Sequence, residues 1–198
     1  MNPLPGPPPL ILGSTSAYRR ELLARLRLPF EVASPGIDEA PLTDEGPLIR
    51  ARRLALAKAA AVAASRPDAV VIGSDQVAVC KGTVLDKPGN ATNCREQLQR
   101  LSGNSAEFHT AVTVVWSARQ RLEAFEDLTI VHFRTLDADT IERYIAAEQP
   151  FDCAGGFRSE SLGVSLFERV VSDDATGLVG LPLIRLAAVL RSFGYALP

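Results

Sequence analysis

The sequence predicts an α/β fold in which helices flank a mixed central sheet. Helical and extended patterns alternate along the 198 residues, and the extended stretches are short apolar runs bounded by turn residues. Two β-rich stretches in the second half are joined by a polar segment that is typical of a hairpin. Because no linker interrupts this pattern, we expect a single domain over residues 10–198, preceded by a flexible leader at residues 1–9.

The first half of the chain predicts strand 10–13, helix 16–27, strand 30–34, helix 47–65 and strand 69–73. The Ala-rich helix should end before Pro67, because a proline disfavours the α conformation in the residue that precedes it. The run Ala69-Val70-Val71-Ile72-Gly73 is rich in β-branched residues and too short for a helix. It therefore predicts a buried strand.

The second half predicts helix 91–102, β-rich stretches 107–117 and 126–135, helix 137–148, strand 163–171 and a last helix at residues 182–193. Pro182 suits the first position of this last helix, because the N–H group that proline lacks has no helical partner there. Helices and strands thus alternate to the end of the chain, which supports the α/β class.

The composition is that of a globular protein. Hydrophobic residues make up 46% and charged residues 22%, and no apolar run approaches the roughly 18–20 residues that span a bilayer. The net charge of −2 argues against a nucleic-acid polymer as partner, so any anion site must be local. Three widely spaced cysteines without a C-x-x-C pair, and a start that does not read as a signal peptide, predict a cytoplasmic protein without a membrane anchor.

Two arginines in the first turn of helix 16–27 raise the question of an anion site. Arg19 and Arg20 lie at the helix end where free N–H groups already carry a partial positive charge, so either both side chains extend into water or an anion binds among them. The hydroxyl groups of Ser14-Thr15-Ser16 favour the anion. Such strand-to-helix turns commonly hold phosphate, and an arginine can bind two phosphate oxygens at once.

Asp75 is the candidate catalytic residue. It follows strand 69–73, at the sheet edge where open α/β folds bind ligands. There its carboxylate could orient a water molecule, hold a divalent cation or cap a turn. Glu39, in an acidic loop, is either solvated or joins Asp75 in supplying the oxygen ligands that Mg²⁺ takes alongside substrate phosphates.

Two of the three lysines are candidate phosphate ligands. Lys58 lies on the stripe of helix 47–65 that should face inward, so its ammonium group either extends to the surface or reaches an anion at the sheet edge. Lys87 precedes Pro88-Gly89, a rigid turn that could fix its direction, although a surface turn is the simpler interpretation.

The chain contains these segments in this order: 10–16 with Arg19-Arg20, Asp38-Glu39, Lys58, 72–77, Lys87-Pro88, 101–103, Ala154-Gly155 and 179–183. In residue type and order they resemble the Maf family of nucleotide pyrophosphatases. They extend over nearly the whole chain, and the resemblance depends on their combination because each motif is weak alone. It implies a two-lobed architecture like that of the inosine triphosphate pyrophosphatases.

The resemblance also implies roles for these residues. Ser14, Arg19, Arg20, Lys58 and Lys87 would bind the triphosphate of a small nucleotide, Glu39 and Asp75 would hold Mg²⁺ or Mn²⁺, and Asp75 would be the proton acceptor. A homodimer is left open.

Within the family, the chain looks most like the branch that hydrolyses 7-methyl-GTP to 7-methyl-GMP and pyrophosphate. The resemblance assigns base specificity to Tyr18, Gln76 and Glu160. An aromatic ring suits a purine that carries a positive charge after N7 methylation, and a carboxylate can accept the guanine N–H groups. Two alternatives stay open, a dTTP/UTP pyrophosphatase of the same family and a nucleotide-binding regulator of cell division that does not hydrolyse its ligand.

The chain departs from the family pattern at two positions. Ala17 stands where a proline is usual, which should only loosen the turn. Asp86 stands where a glycine usually precedes the lysine, and its carboxylate could compete with phosphate for Lys87.

Overall fold

A computed structural model describes residues 6–198, so residues 1–5 of the expected leader lie outside the described residues. The seven strands of its sheet are β1 (Leu10–Gly13), β2 (Glu31–Ala33), β3 (Val70–Cys80), β4 (Thr83–Leu85), β5 (Ser105–Trp116), β6 (Arg121–Phe133) and β7 (Phe167–Val171). The helices are α1 (Ala17–Ala24), α2 (Pro47–Ser65), α3 (Ala91–Leu101), α4 (Ala138–Glu148) and α5 (Leu183–Ser192).

The sheet is mixed, as the sequence predicts. Strands β2, β1 and β3 are parallel neighbours, whereas β3, β5, β6 and β7 are successive antiparallel neighbours and β4 pairs antiparallel with β3. The parallel part comes from strands that alternate with α1 and α2, whereas the antiparallel part contains the hairpins β3–β4 and β5–β6 and two pairs whose connections include α3 and α4. The expected fold class is therefore confirmed.

Four predicted boundaries are wrong. Strand β6 begins at Arg121 instead of residue 126, because β5 pairs with it from Trp116 onward. Strand β3 continues to Cys80 instead of ending at residue 73, because β5 pairs with it along its whole length from Val71 onward. Helix α1 ends at Ala24, since Arg27 adopts a left-handed conformation with φ of 55°. The strand expected at 163–171 begins only at Phe167, after a short 3₁₀ turn.

One edge of β3 is left open in its middle. Strand β1 pairs with β3 as far as Ile72, and β4 pairs with it from Ala78 onward. Within the described chain, residues 73–77 therefore have a strand neighbour only on the β5 side. Asp75 lies inside β3, not after its end as the sequence suggested, but the ends of β1 and β4 leave it at an open edge.

Successive side chains of β3 point to opposite faces of the sheet. Val71 and Val77 pack in clusters that include α2 residues, whereas Ser74 and Gln76 hydrogen-bond to the segment around the short 3₁₀ turn Gly177–Val179. Asp75 shares the α2 face. The site residues of β3 are thus presented to two different layers.

Two apolar cores lie on either side of this open edge. One is built on β1, α1 and α5 around Leu12, Leu23 and Leu186. The other is built on α3, α4 and the far ends of β5 and β6, around Leu98 and Phe108. This division produces the two lobes that the resemblance implies.

Helix α2 packs very closely on β3. A Cβ atom on Gly73 would lie 2.3 Å from the backbone oxygen of Ala55 and 2.5 Å from the backbone nitrogen of Ala59. Only glycine allows this approach, which brings the inner stripe of α2 directly over the open edge of β3.

From Pro8 onward, hydrogen bonds attach the chain to the rest of the fold. The Tyr195 hydroxyl donates to the Pro8 carbonyl at 2.9 Å, and the Val70 amide donates to the Pro9 carbonyl at 2.8 Å. Among residues 6–198, no helix is both long enough and apolar enough to cross a bilayer.

Candidate active site

A cleft of about 720 Å³ opens along the unpaired edge of β3, between the two lobes. Its walls are the turn before α1, the inner stripe of α2, the segment after β4 and residues 152–160. The volume lies in the range of small-molecule sites. Of the predicted site residues, the cleft is lined by Ser14, Tyr18, Arg19, Glu39, Lys58, Asp75, Gln76, Lys87 and Glu160.

Lys58 and Asp75 form a buried ion pair at the centre of the cleft. The Lys58 Nζ atom donates to Asp75 Oδ1 at 2.7 Å and to Glu39 Oε2 at 2.8 Å. The Lys58 side chain is 6% exposed, so its ammonium group reaches the anion at the sheet edge instead of extending to the surface. Within residues 6–198, Asp75 Oδ2 makes no hydrogen bond. This oxygen is free to accept one from a bound molecule.

The two arginines of the first helical turn separate. Arg19 turns inward, and its Nε atom donates to the Gly180 carbonyl at 3.0 Å. Burial lowers the pKa of the Arg19 guanidinium, and the carboxylates of Asp75 and Glu39 oppose that shift. Arginine keeps its charge in proteins, and these two carboxylates favour the charged form here. Arg20 is exposed and is not part of the cleft lining.

The turn that precedes α1 is capped by its own hydroxyl groups. Ser16 is the N-cap, and its side chain accepts from the Arg19 amide at 3.4 Å. Ser14 is buried, and its Oγ atom accepts from the Ser16 amide at 3.2 Å. These contacts fix the turn so that its hydroxyl groups and the Arg19 side chain face the same cleft.

Gln76 is held by its amide nitrogen. The Nε2 atom donates to the carbonyls of Gly177 and Leu178 at 3.0 and 3.1 Å and to Thr110 Oγ1 at 2.8 Å. Thr110 in turn donates to the Gly177 carbonyl at 3.1 Å. Because every hydrogen bond of this side chain within residues 6–198 uses the nitrogen, the carbonyl oxygen of Gln76 is left as an acceptor.

Tyr18 lies in the wall of the cleft and contacts residues of the opposite lobe. Its hydroxyl donates to the Asp152 carboxylate at 3.1 Å, and the Arg158 guanidinium lies 5.8 Å from the centre of its ring. Burial works to raise the pKa of Asp152, but hydrogen bonds from Arg158 and Tyr18 outweigh it and leave this pKa below its usual value. Burial also raises the pKa of Tyr18, so the phenol stays protonated.

The side chains of the cleft can hold a divalent cation only when a bound ligand supplies further oxygen atoms. No cluster of three or more histidine, cysteine or acidic side chains is arranged for a metal within residues 6–198. Lys58 contacts both Glu39 and Asp75, so two carboxylates lie beside one ammonium group. Two carboxylates suit Mg²⁺, which completes its shell with water and substrate phosphates.

Sequence reasoning missed three residues of the cleft region: Arg50, Asp152 and Thr110. Arg50 lies two helical turns before Lys58 on the same stripe, so its spacing was a signal. Asp152 and Thr110 contact Tyr18 and Gln76, which lie far away in sequence. No sequence pattern marked these contacts.

Comparison with known proteins places the chain in a family. The family model of Maf-like proteins matches residues 9–193. A 7-methyl-GTP pyrophosphatase of Bordetella pertussis is 50% identical over 188 residues, covering 95% of this chain and 94% of the relative. Another protein of that name, from Xanthomonas oryzae pv. oryzae, is 52% identical over 191 residues, covering 96% and 100% of the two chains.

A solved structure shares the fold. The Staphylococcus aureus Ham1 protein superposes with a TM-score of 0.51 at 11% identity, over 92% of this chain and 98% of that chain. At this identity the likeness concerns the fold alone. The resemblance drawn from the sequence motifs is confirmed by the family match and by the two relatives: the chain belongs to the Maf family.

Proposed function

We propose that the chain is a nucleoside triphosphate pyrophosphatase that hydrolyses 7-methyl-GTP to 7-methyl-GMP and pyrophosphate, removing a modified nucleotide. The observation that carries this proposal is the buried Lys58–Asp75 pair in a cleft that Arg19 and Lys87 also line. The names of the two relatives, each matched over almost its full length, support the same activity.

The cleft has the charge that a triphosphate requires. Arg19 and Lys58 face it from two walls, Lys87 lies on a third, and the hydroxyl group of Ser14 lies at the turn before α1. These groups neutralise phosphate oxygens in a partly enclosed site, where charge interactions are stronger than in water. Arg20 shares the first turn of α1 but stands outside the lining, so it would contact phosphate only at the rim.

Asp75 is suited to act as general base. Lys58 holds Oδ1 at 2.7 Å, which leaves Oδ2 to accept a proton from water. The water oxygen forms a bond to the α-phosphorus, the bond from that phosphorus to the α–β bridging oxygen breaks, and the electron pair leaves with pyrophosphate. Arg19 and Lys87 stabilise the charge that develops on the departing group.

A divalent cation, Mg²⁺ or Mn²⁺, would be held by the carboxylates of Glu39 and Asp75 together with the phosphates, and would supply neutralisation of their charge. Lys58 contacts both carboxylates, so it keeps the two ligands in place before a nucleotide binds.

The base would be selected by three residues. Tyr18 lines the cleft, and a cationic base such as N7-methylguanine would compete for its ring with Arg158, whose guanidinium lies 5.8 Å from the ring centre. The oriented carbonyl of Gln76 and the exposed carboxylate of Glu160 are acceptors for the N–H groups of guanine.

A substrate panel tests the proposal. The protein would receive 7-methyl-GTP, GTP, dTTP and UTP at equal concentrations, with Mg²⁺ or Mn²⁺, and pyrophosphate release would be measured. We expect the highest kcat/KM for 7-methyl-GTP. A preference for dTTP or UTP would assign the other specificity in the family, and binding without pyrophosphate release would favour a non-hydrolysing regulator.

The variant Asp75→Asn tests the base. Its kcat should fall by about 10²–10⁴-fold while nucleotide still binds, because an amide cannot accept the proton. Asp68→Asn, at an exposed turn before β3, is the matched control and should keep parental kcat. Near-parental turnover of Asp75→Asn would remove Asp75 from the chemistry.

A further inference from the structure

Among residues 6–198, Arg50 is the one cationic cleft residue that has neither a hydrogen-bonded carboxylate nor an assigned role. It lies in the first turns of α2 and lines the cleft together with Leu54 and Lys58, which follow it at helical spacing. Its side chain is 18% exposed, so most of the side chain is withdrawn from water.

The contacts of Arg50 are poor for a buried guanidinium. The Nη2 atom donates to the Glu39 backbone carbonyl at 3.5 Å, and the Nη1 atom lies 3.7 Å from Asp86 Oδ1, beyond hydrogen-bond distance. The Nε atom is buried and has no partner within the described residues. A buried donor without a partner costs free energy, which a bound acceptor would recover.

Two neighbouring arginines on the same helix have guanidinium groups that are paired with carboxylates. Arg52 makes a two-point contact with Glu126, and Arg53 makes one with Glu45. Both of those partners are carboxylates from elsewhere in the fold. Arg50 has no such partner, and its guanidinium lies between Glu39 and Asp86, two residues that border the cleft.

The position of Arg50 along α2 determines which phosphate group of the substrate it can contact. It precedes Lys58 by two turns, about 12 Å along the helix axis. Lys58 contacts Asp75, where the α-phosphorus must lie for water to attack it. Arg50 is therefore displaced from the reacting phosphorus toward Asp86, the neighbour of Lys87, which is the side on which a cation for the β- and γ-phosphates already lies.

We propose that Arg50 binds the pyrophosphate portion of the substrate, with Asp86 as a counter-charge that the phosphates displace. The loose 3.7 Å approach and the 75% exposed Asp86 side chain suit an ion pair that can open. This assigns a function to the departure at position 86, because Asp86 approaches Arg50 across the cleft. The proposal rests on a triphosphate substrate but not on the identity of its base.

Binding of inorganic pyrophosphate tests the proposal without catalysis. Titration calorimetry with magnesium pyrophosphate would compare the parental protein with Arg50→Gln, and we expect affinity to fall about 10- to 100-fold, as for a lost hydrogen-bonded charge. Affinity for GMP, which lacks these phosphates, should stay within about twofold. Arg52→Gln removes the same charge from the same helix outside the cleft and should leave both affinities unchanged.

A double-mutant cycle tests the role of Asp86. Asp86→Asn should tighten pyrophosphate binding by about 2- to 10-fold in the parental background, because a competing carboxylate is removed. In the Arg50→Gln background the gain should be at most half as large on a logarithmic scale. Arg50→Lys keeps the positive charge but lacks the planar guanidinium, so it should bind pyrophosphate with intermediate affinity. It replaces Arg50→Gln in the comparison if Arg50→Gln fails to fold.

Three results would overturn the proposal: parental pyrophosphate affinity in Arg50→Gln, equal loss of GMP and pyrophosphate binding, or no pyrophosphate binding by the parental protein at millimolar concentration. A failure of the substrate panel leaves these measurements intact. The two proposals are thus tested separately.

Discussion

The ammonium nitrogen of Lys58 lies 2.7 Å from the carboxylate of Asp75, although the two side chains are only 6% and 10% exposed. Helix α2 can bring Lys58 there because Gly73 lets the helix backbone approach β3 closely. Among residues 6–198, Lys58 is the hydrogen-bonded cation of Asp75, and Glu39 is the second carboxylate that Lys58 contacts. The pair therefore links the stability of the protein to its proposed chemistry.

Removal of Lys58 should be costly to stability. Lys58→Met should lower the free energy of unfolding by about 3–5 kcal/mol, because it leaves Asp75 as a buried charge without its hydrogen-bonded cation. The double variant Lys58→Met/Asp75→Leu should recover most of this loss, since neither charge remains. Urea unfolding in the presence of a chelator measures both. Equal stability of the single and double variants would show that the pair is not energetically coupled.

The close approach of α2 to β3 should not tolerate a methyl group. Gly73→Ala should lower the free energy of unfolding by about 1–3 kcal/mol or more, because the new Cβ atom would overlap the backbone of Ala55 and Ala59. Turnover at low temperature should also fall, as Lys58 is shifted from Asp75. Gly46→Ala, where nothing lies within 4 Å of the new atom, is the control for thermal unfolding and activity. Unchanged melting of Gly73→Ala would contradict the close packing.

The ring and the hydroxyl group of Tyr18 should have separable effects. Tyr18→Leu removes the ring and should reduce the preference for 7-methyl-GTP over GTP by about 2- to 30-fold, the equivalent of a cation–π contact of about 0.5–2 kcal/mol. Tyr18→Phe keeps the ring, loses only the hydroxyl contacts with Asp152 and the Cys153 thiol, and should keep the preference. The ratio of kcat/KM values for the two nucleotides is the measurement. A loss of preference in Tyr18→Phe equal to that in Tyr18→Leu would assign the selectivity to the hydroxyl group.

Thr110 should position Gln76 without touching the base. Thr110→Val keeps the shape of the side chain but removes one acceptor from the Gln76 amide and one donor to Gly177. We expect KM for 7-methyl-GTP to rise several-fold, about 3- to 10-fold for a contact of this kind, with kcat little changed. Thr113→Val, a buried substitution on the same strand, is the control. A fall in kcat at constant KM would place Thr110 in the chemistry instead.

The fold class could be predicted because local patterns and tertiary packing agree over most of the chain. The β-branched run before Gly73 and the Ala-rich stretch before Pro67 form the strand and the helix that they indicate. The extension of β3 to Cys80 was missed because polar residues of the site interrupt its apolar pattern. That stretch is extended because β5 pairs with it, a contact between distant parts of the chain.

The site was predicted unevenly for the same reason. Lys58 and Asp75 were found from their places on an inward stripe and next to a buried strand, and they meet in the structure. The environments of Tyr18 and Gln76 depend on Asp152 and Thr110, which the fold brings from far along the chain. The spacing of residues along the sequence does not indicate such long-range contacts. The cytoplasmic location and the homodimer stay predictions.

Attack of water on the α-phosphorus beside Asp75 is tested most directly by hydrolysis of 7-methyl-GTP in water labelled with heavy oxygen. Mass spectrometry of the products should find the label in 7-methyl-GMP and none above background in pyrophosphate. Label in pyrophosphate, or release of orthophosphate in its place, would contradict attack at the α-phosphorus.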